Sequence, residues 1–362
     1  MKSRARDGRV SKNAFHIPSL DGLRAVSFGI VFVAHAGLEK WVPGGFGVTV
    51  FFFLSGFLIT TLMRTEFEKS GTLNLKAFYL RRVLRILPPF YFVLTIATVL
   101  TAVGFLAGEL NRQAVAAQFL HYANYWIVAH GYSGQALGTG VYWSLAVEEH
   151  FYFLFPWLYL LLRRLRASHR RQAIVIWSIC GLILLWRCFL VFKLGVDTDR
   201  TYLASDTRFD SILFGSALAV WNNPVLDGDP RGSPTLWKFV LLPLAICGLL
   251  VGFLWRDDQF RETARYTLQG VALMPIFICA IRWPDFLPFR VLNTKVMSFL
   301  GVLSYSLYLT HHVIVFGVQK HLPELHGVVQ GLIAFGLTLG LSYGIYLAIE
   351  KPCARLRKRL NA

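Results

Sequence analysis

Acid is what this chain is short of: 20 Asp and Glu stand against 37 Lys and Arg, and all charged residues together make up only 16% of 362. That is too little polar surface to solvate an ordinary soluble enzyme. Cysteine is sparser still, with Cys180, Cys188, Cys247 and Cys279 inside apolar runs and Cys353 in a basic tail. None has metal-ligand spacing and none falls in a segment expected outside the cell, so neither a metal site nor a disulfide is expected. There is also no internal repeat, no low-complexity segment and no stretch long and polar enough for a soluble domain. The N-terminal MKSRARDGRVSK is basic, but the run after it carries Asp21 and Arg24 and lacks a small-residue cleavage site before His35. A cleaved signal peptide is therefore not expected.

What is present is apolar. Hydrophobic residues make up 55% of the chain and the mean hydropathy is +0.50. Ten runs have the length a bilayer asks for, centred on 25–38, 46–63, 90–107, 143–162, 174–192, 209–221, 239–254, 267–281, 296–318 and 328–349. The sixth is short. An all-α, polytopic integral membrane bundle is therefore expected. The net charge of +17 does not point to nucleic acid, because the basic residues sit in short clusters between apolar runs. With the N-terminus inside, 26 basic residues fall in inner segments and 8 in outer ones (Lys40, Arg112, Lys193, Arg200, Arg256, Arg261, Arg265 and Lys320). Positive loops stay in the cytoplasm, so both termini are expected there, with basic tails over 1–16 and 350–362.

Ionisable residues within apolar runs carry the functional signal, because they are costly in a bilayer. Arg24 and His35 stand eleven residues apart, which on a helix returns to within roughly 20° of the same face after a rise of roughly 16 Å. The plainer alternative is an arginine anchored to headgroups and a histidine satisfied in the core. Gly44, Gly45, Gly47 and Ser55-Gly56 follow, small residues that let helices approach closely. Next, Leu75 to Leu87 reads as a basic amphipathic helix ended by Pro88 and Pro89 before the third span. On it Arg82 and Arg85 share a face and suit a phosphate-bearing ligand, or anionic lipid headgroups. In Tyr142 to Tyr152, Ser144, Glu148 and Tyr152 form a polar stripe with Tyr159 beyond it, and Glu149 points about 100° away. Glu148 lies roughly 9 Å in from Tyr142. A carboxylate beside an imidazole fixes its tautomer and raises its basicity, so Glu148 is expected to orient His35 as a general base.

Four motifs in order, LDGLRA with Arg24 and then His35, FFFLSGFLIT, RRVLRILPPFY and YWSLAVEEHFY, resemble the membrane-embedded acyltransferases of the acyltransferase-3 type. LSYSLYLTHH and IEKP are weaker matches. The resemblance implies one membrane acyltransferase domain over 1–362, in which Arg24 and His35 are essential, Glu148 is the more strictly kept carboxylate and Arg82 and Arg85 are the paired arginines, expected here to hold the donor. An aromatic commonly precedes the histidine of the SYSLYL motif, whereas Thr310 precedes His311 here. Larger members append an external esterase-like domain at the C-terminus; the sequence stops at Ala362 without one, so all chemistry is expected in the membrane part. The resemblance further implies transfer of an acyl group, acetyl above all, from cytoplasmic acyl-CoA to a hydroxyl of a cell-surface glycan or glycosylated metabolite, in a bacterial inner membrane. No permanently bound cofactor is expected. His35 either deprotonates the acceptor or carries the acyl group, with Glu149 and His311 left open as contributors. A secondary transporter or exporter of an acylated product is the rival reading, because it too keeps charges within spans.

Overall fold

The computed structural model describes residues 17–230 and 232–359; the basic tail expected over 1–16 lies outside the described residues. Among the described residues every regular element is helical, and nine helices are long and apolar enough to cross a membrane. The principal helices in chain order are α1 (Pro18–Val33), α2 (Gly44–Ser70), α3 (Leu75–Ala102), α4 (Trp143–Arg164), α5 (His169–Leu194), α6 (Ser205–Val220), α7 (Leu242–Leu254), α8 (Ala264–Arg282), α9 (Lys295–His321) and α10 (Gly327–Ile345). Two short helices, Arg112–Phe119 and Ala123–His130, fill the long segment between α3 and α4. The chain is an all-α polytopic membrane bundle.

Nine such helices stand close to the ten expected, and α6 is the difference. Its 16 residues rise about 24 Å, short of a hydrocarbon core of about 30 Å. Lipid does not set its length, because protein surrounds it: residues 210–220 are all buried. Gly56 of α2 and Gly215 of α6 let the two backbones touch. A Cβ on Gly56 would stand 1.9 Å from the Ile212 carbonyl oxygen, and one on Gly215 would stand 1.9 Å from that of Phe53. No other residue fits there without moving a helix.

The polar residues of α6 are held from α5 and α8. Arg187 meets Asp210 at 2.7 Å with both side chains fully buried, and donates further to the carbonyl oxygens of Thr207 (2.6 Å) and Thr263 (3.1 Å) and to Thr267 Oγ1 (2.8 Å). A buried pair this well bonded specifies how helices meet, and removing either partner would leave a stranded charge.

The expected break at Pro88 and Pro89 is corrected: α3 is one helix from Leu75 to Ala102 with both prolines inside. Asn74 caps it, accepting from the Ala77 amide at 3.0 Å. Prolines are tolerated within membrane helices; the carbonyls they leave free here are those of Leu84 and Arg85, and the Tyr305 hydroxyl of α9 ties the neighbouring Ile86 carbonyl at 2.8 Å. Consequently the basic face of residues 75–87 is continuous with the span instead of lying along the surface. At the other end of the site, α1 passes into a π-helical turn, Ala34–Leu38, where Gly37 takes a φ of 107°. That turn carries His35.

Candidate active site

Two adjoining cavities hold the residues singled out from the sequence. The first, of about 200 Å³, is lined by Arg24 from α1, Ser55 from α2, Arg82 and Arg85 from α3, and the stripe Ser144, Glu148 and Tyr152 from α4. Tyr159, further along α4, is buried away from it and its hydroxyl has no hydrogen-bond partner. In this arginine cavity Ser55 Oγ donates to Glu148 Oε1 at 2.7 Å, and Arg24 Nη1 lies 3.2 Å from Asp21 Oδ1. The Arg82 Nε–H is buried without a partner. Three guanidinium groups and the Glu148 carboxylate thus face one space, with Asp21 beside Arg24 and one arginine N–H left over.

The second cavity, of about 350 Å³, is lined by His35, His312, Tyr132, Gln135, Trp143 and Tyr202 among others. It shares Val48 and Tyr308 with the arginine cavity. His35 Nδ1 stands 2.9 Å from His311 Nε2, and His311 Nδ1 stands 2.7 Å from the Tyr308 carbonyl oxygen. His312 stacks on His35 with ring centroids 4.2 Å apart. His311 is fully buried, and Phe28 meets its ring edge-on at 5.8 Å.

These contacts assign the tautomers. A carbonyl oxygen only accepts, so the proton of neutral His311 sits on Nδ1 and its Nε2 offers a lone pair. His35 Nδ1 must then carry the proton that meets it. Neutral His35 is left with a bare Nε2 beside the cavity, which is the form a general base or a nucleophilic imidazole needs.

The expected pairing of Glu148 with His35 is therefore not what the fold makes. Trp143 already lines the histidine cavity, and Glu148, five residues on, lies about 7.5 Å deeper along α4. His311 takes the orienting position instead. It lies 276 residues from His35 in the chain, beyond the reach of any local pattern. A signal was available all the same: Ser304, Tyr308 and His311 recur at i, i+4 and i+7 on α9. Arg24, Arg82, Arg85 and Glu148 do come together in one cavity, and His35 faces the next.

Comparison with known proteins bears on what this arrangement serves. A family model described as an acyltransferase domain matches residues 17–347. Among curated relatives, the peptidoglycan O-acetyltransferase OatA of Listeria monocytogenes is 32% identical over 316 residues, covering 83% of this chain and 49% of its own. The O-acetyltransferase OatA of Staphylococcus aureus is 31% identical over 358 residues, covering 93% of this chain and 57% of its own. The chain spans about half the length of the curated relatives it matches. No solved structure matches it.

Proposed function

From the premise that the chain belongs to the acyltransferase-3 family, we propose that it transfers an acetyl group from cytoplasmic acyl-CoA to a hydroxyl of a cell-surface glycan. The observation that carries this reading is the relay from the Tyr308 carbonyl through His311 to His35, with Nε2 of His35 bare beside a cavity. In the proposed reaction that nitrogen takes the proton of the acceptor hydroxyl while the oxygen attacks the thioester carbonyl. The C–S bond then breaks, and the departing thiolate recovers the proton from His35. His35 Nδ1–H stays on His311 throughout, so the ring neither flips nor changes tautomer. The same bare Nε2 suits a transient acyl-imidazole, and trapping label on His35 would select that variant.

Donor binding falls to the arginine cavity. Arg24, Arg82 and Arg85 converge there, and the unpartnered Arg82 Nε–H suits a phosphate of CoA. The pantetheine arm would then run past Val48 and Tyr308 to His35, a reach of roughly 15 Å by the helical rise between Arg24 and His35. On the charge rule the arginine end faces the cytoplasm, both termini lie inside, and the membrane is the bacterial inner one.

Sealed inverted vesicles test this. Labelled acetyl-CoA is supplied on the exposed cytoplasmic face, with bacterial cell-wall saccharides enclosed. Label should appear on the enclosed saccharide while the saccharide itself stays inside. Acetylation only when both substrates share the cytoplasmic side, or saccharide crossing without acetyl-CoA, would overturn the assignment.

A further inference from the structure

A third cavity, of about 540 Å³, opens beyond the histidine cavity and shares His35, Gly44, Gly45 and Tyr202 with it. The three spaces form a line: arginine cavity, histidine cavity, then this groove, with His35 on the last boundary. The groove has its own chemistry. Of the eight basic residues that the charge rule leaves outside, four line it: Lys40, Arg256, Arg261 and Arg265. The acids lining it are Glu39 and Glu262.

Those acids leave the cations largely uncompensated. Glu262 accepts from the Thr201 hydroxyl and stands 4.0 Å from Arg265. Arg265 gives one nitrogen to the Tyr266 hydroxyl at 3.0 Å and keeps a buried Nε–H without a partner. Among the described residues Arg261 has only Asp258 within ion-pair distance, at 3.8 Å and 94% exposed, a contact worth little in water. Arg256 has no carboxylate within ion-pair distance among the described residues. Beside Lys40 at the groove stands Trp41, 85% exposed. A flat exposed indole is a surface that the C–H face of a pyranose ring can cover, and here it stands beside the cationic lining of a cavity that reaches His35.

We infer that this groove is the entry of the acceptor and that it takes an acidic saccharide, with Trp41 against a sugar ring and Arg256, Arg261 and Arg265 on its carboxylate or phosphate. The inference rests on the reading of His35 as the reacting group, because it is His35 that joins the groove to the chemistry. Gly45 keeps the junction open: a Cβ there would stand 2.8 Å from the Tyr202 hydroxyl. The fork of an arginine matches carboxylate and phosphate alike, so the anion's identity is left to the probes.

The test measures binding without any acyl donor, so it stands or falls separately from acetyl transfer. Full-length protein in nanodiscs of neutral lipid is titrated with a hyaluronan tetrasaccharide and its carboxyl-reduced counterpart, then with maltotriose 6-phosphate and maltotriose. At least one acidic probe should bind about tenfold tighter than its neutral partner, and the advantage should shrink in 0.5 M salt. The Arg256→Gln/Arg261→Gln double variant should remove that advantage, and Trp41→Ala should weaken acidic and neutral probes alike. Both sites are solvent-exposed or half-exposed, and an unchanged elution profile checks folding. Equal binding of acidic and neutral probes, or an advantage that persists in the double variant, would overturn the inference. So would loss of saccharide binding once the nanodiscs contain phosphatidylglycerol, which would give the groove to lipid headgroups.

Discussion

The arginine cavity and the histidine cavity touch at Val48 and Tyr308, yet they hold their polar groups in opposite ways. In the first, three guanidinium groups line one space, Arg24 with Asp21 beside it, and the buried Arg82 Nε–H has no partner. It is a place with a donor left for an anion. In the second, the imidazoles are linked nitrogen to nitrogen and end on a backbone carbonyl, with no carboxylate lining the space. It is a place where a proton can be taken and returned without a stranded charge. Binding a polyanion needs fixed positive charge, whereas activating a hydroxyl needs an unprotonated nitrogen, and adjacent guanidinium groups would oppose the imidazolium that must form. Two cavities with a shared wall meet both demands.

The sharpest way to break that division is to remove the base. His35→Ala should lower acetyl transfer at least about a hundredfold while retention on immobilised CoA is unchanged, because the donor site lies in the other cavity. Transfer above a tenth of wild type would mean that His35 is only a core residue. His311→Phe should follow, with a loss of about ten- to a hundredfold and a displaced pH–rate profile, since His35 would no longer be fixed in one tautomer. His311→Gln, whose side-chain oxygen can accept from His35 Nδ1, should recover part of the rate. An unmoved pH profile and no rescue would reduce His311 to packing.

Arg82→Ala or Arg85→Ala should act on the other side of the comparison. Each should raise KM for acetyl-CoA by about tenfold with a smaller change in kcat, the signature of a lost ground-state contact. Lys should restore only part of it, because an ammonium lacks the planar fork. An unchanged KM with a reduced kcat would move these arginines out of donor binding.

How much of this was legible beforehand divides along the same line. Arg24, Arg82, Arg85 and Glu148 announce themselves because each is an ionisable residue inside or beside an apolar run, and helical periodicity puts the members of each pair or stripe on one face. Periodicity works within a helix and stops at its ends. Nothing local says that α9 delivers His311 to His35, or that Glu148 stops a turn and a half short of it. Pro88 and Pro89 misled for a related reason: whether a proline breaks a helix or sits inside it depends on the helices packed around it, and those come from far away in sequence. The short sixth run was legible as short but not as central. Its meaning depends on Gly56 and Gly215 meeting, a contact between helices that neither glycine reveals alone.

The smallest expected effect tests the wall itself. Tyr308 belongs to both cavities, and two of its groups do different things. Its backbone carbonyl anchors His311, whereas its hydroxyl donates to the Val141 carbonyl at 3.0 Å and meets Ser144 Oγ at 2.7 Å. Tyr308→Phe removes the second set and leaves the first in place. The Val141 carbonyl keeps Ser144 Oγ as a donor at 3.1 Å, so no buried acceptor is orphaned. Stability should fall by about 1 kcal/mol, in line with the hydrogen bonds lost. Transfer should fall only about two- to threefold, with the pH–rate profile where it was, because the relay to His35 runs through the carbonyl. A loss as large as that of His311→Phe, with the profile displaced in the same way, would show that the proton path runs through the phenol and that the two cavities are one.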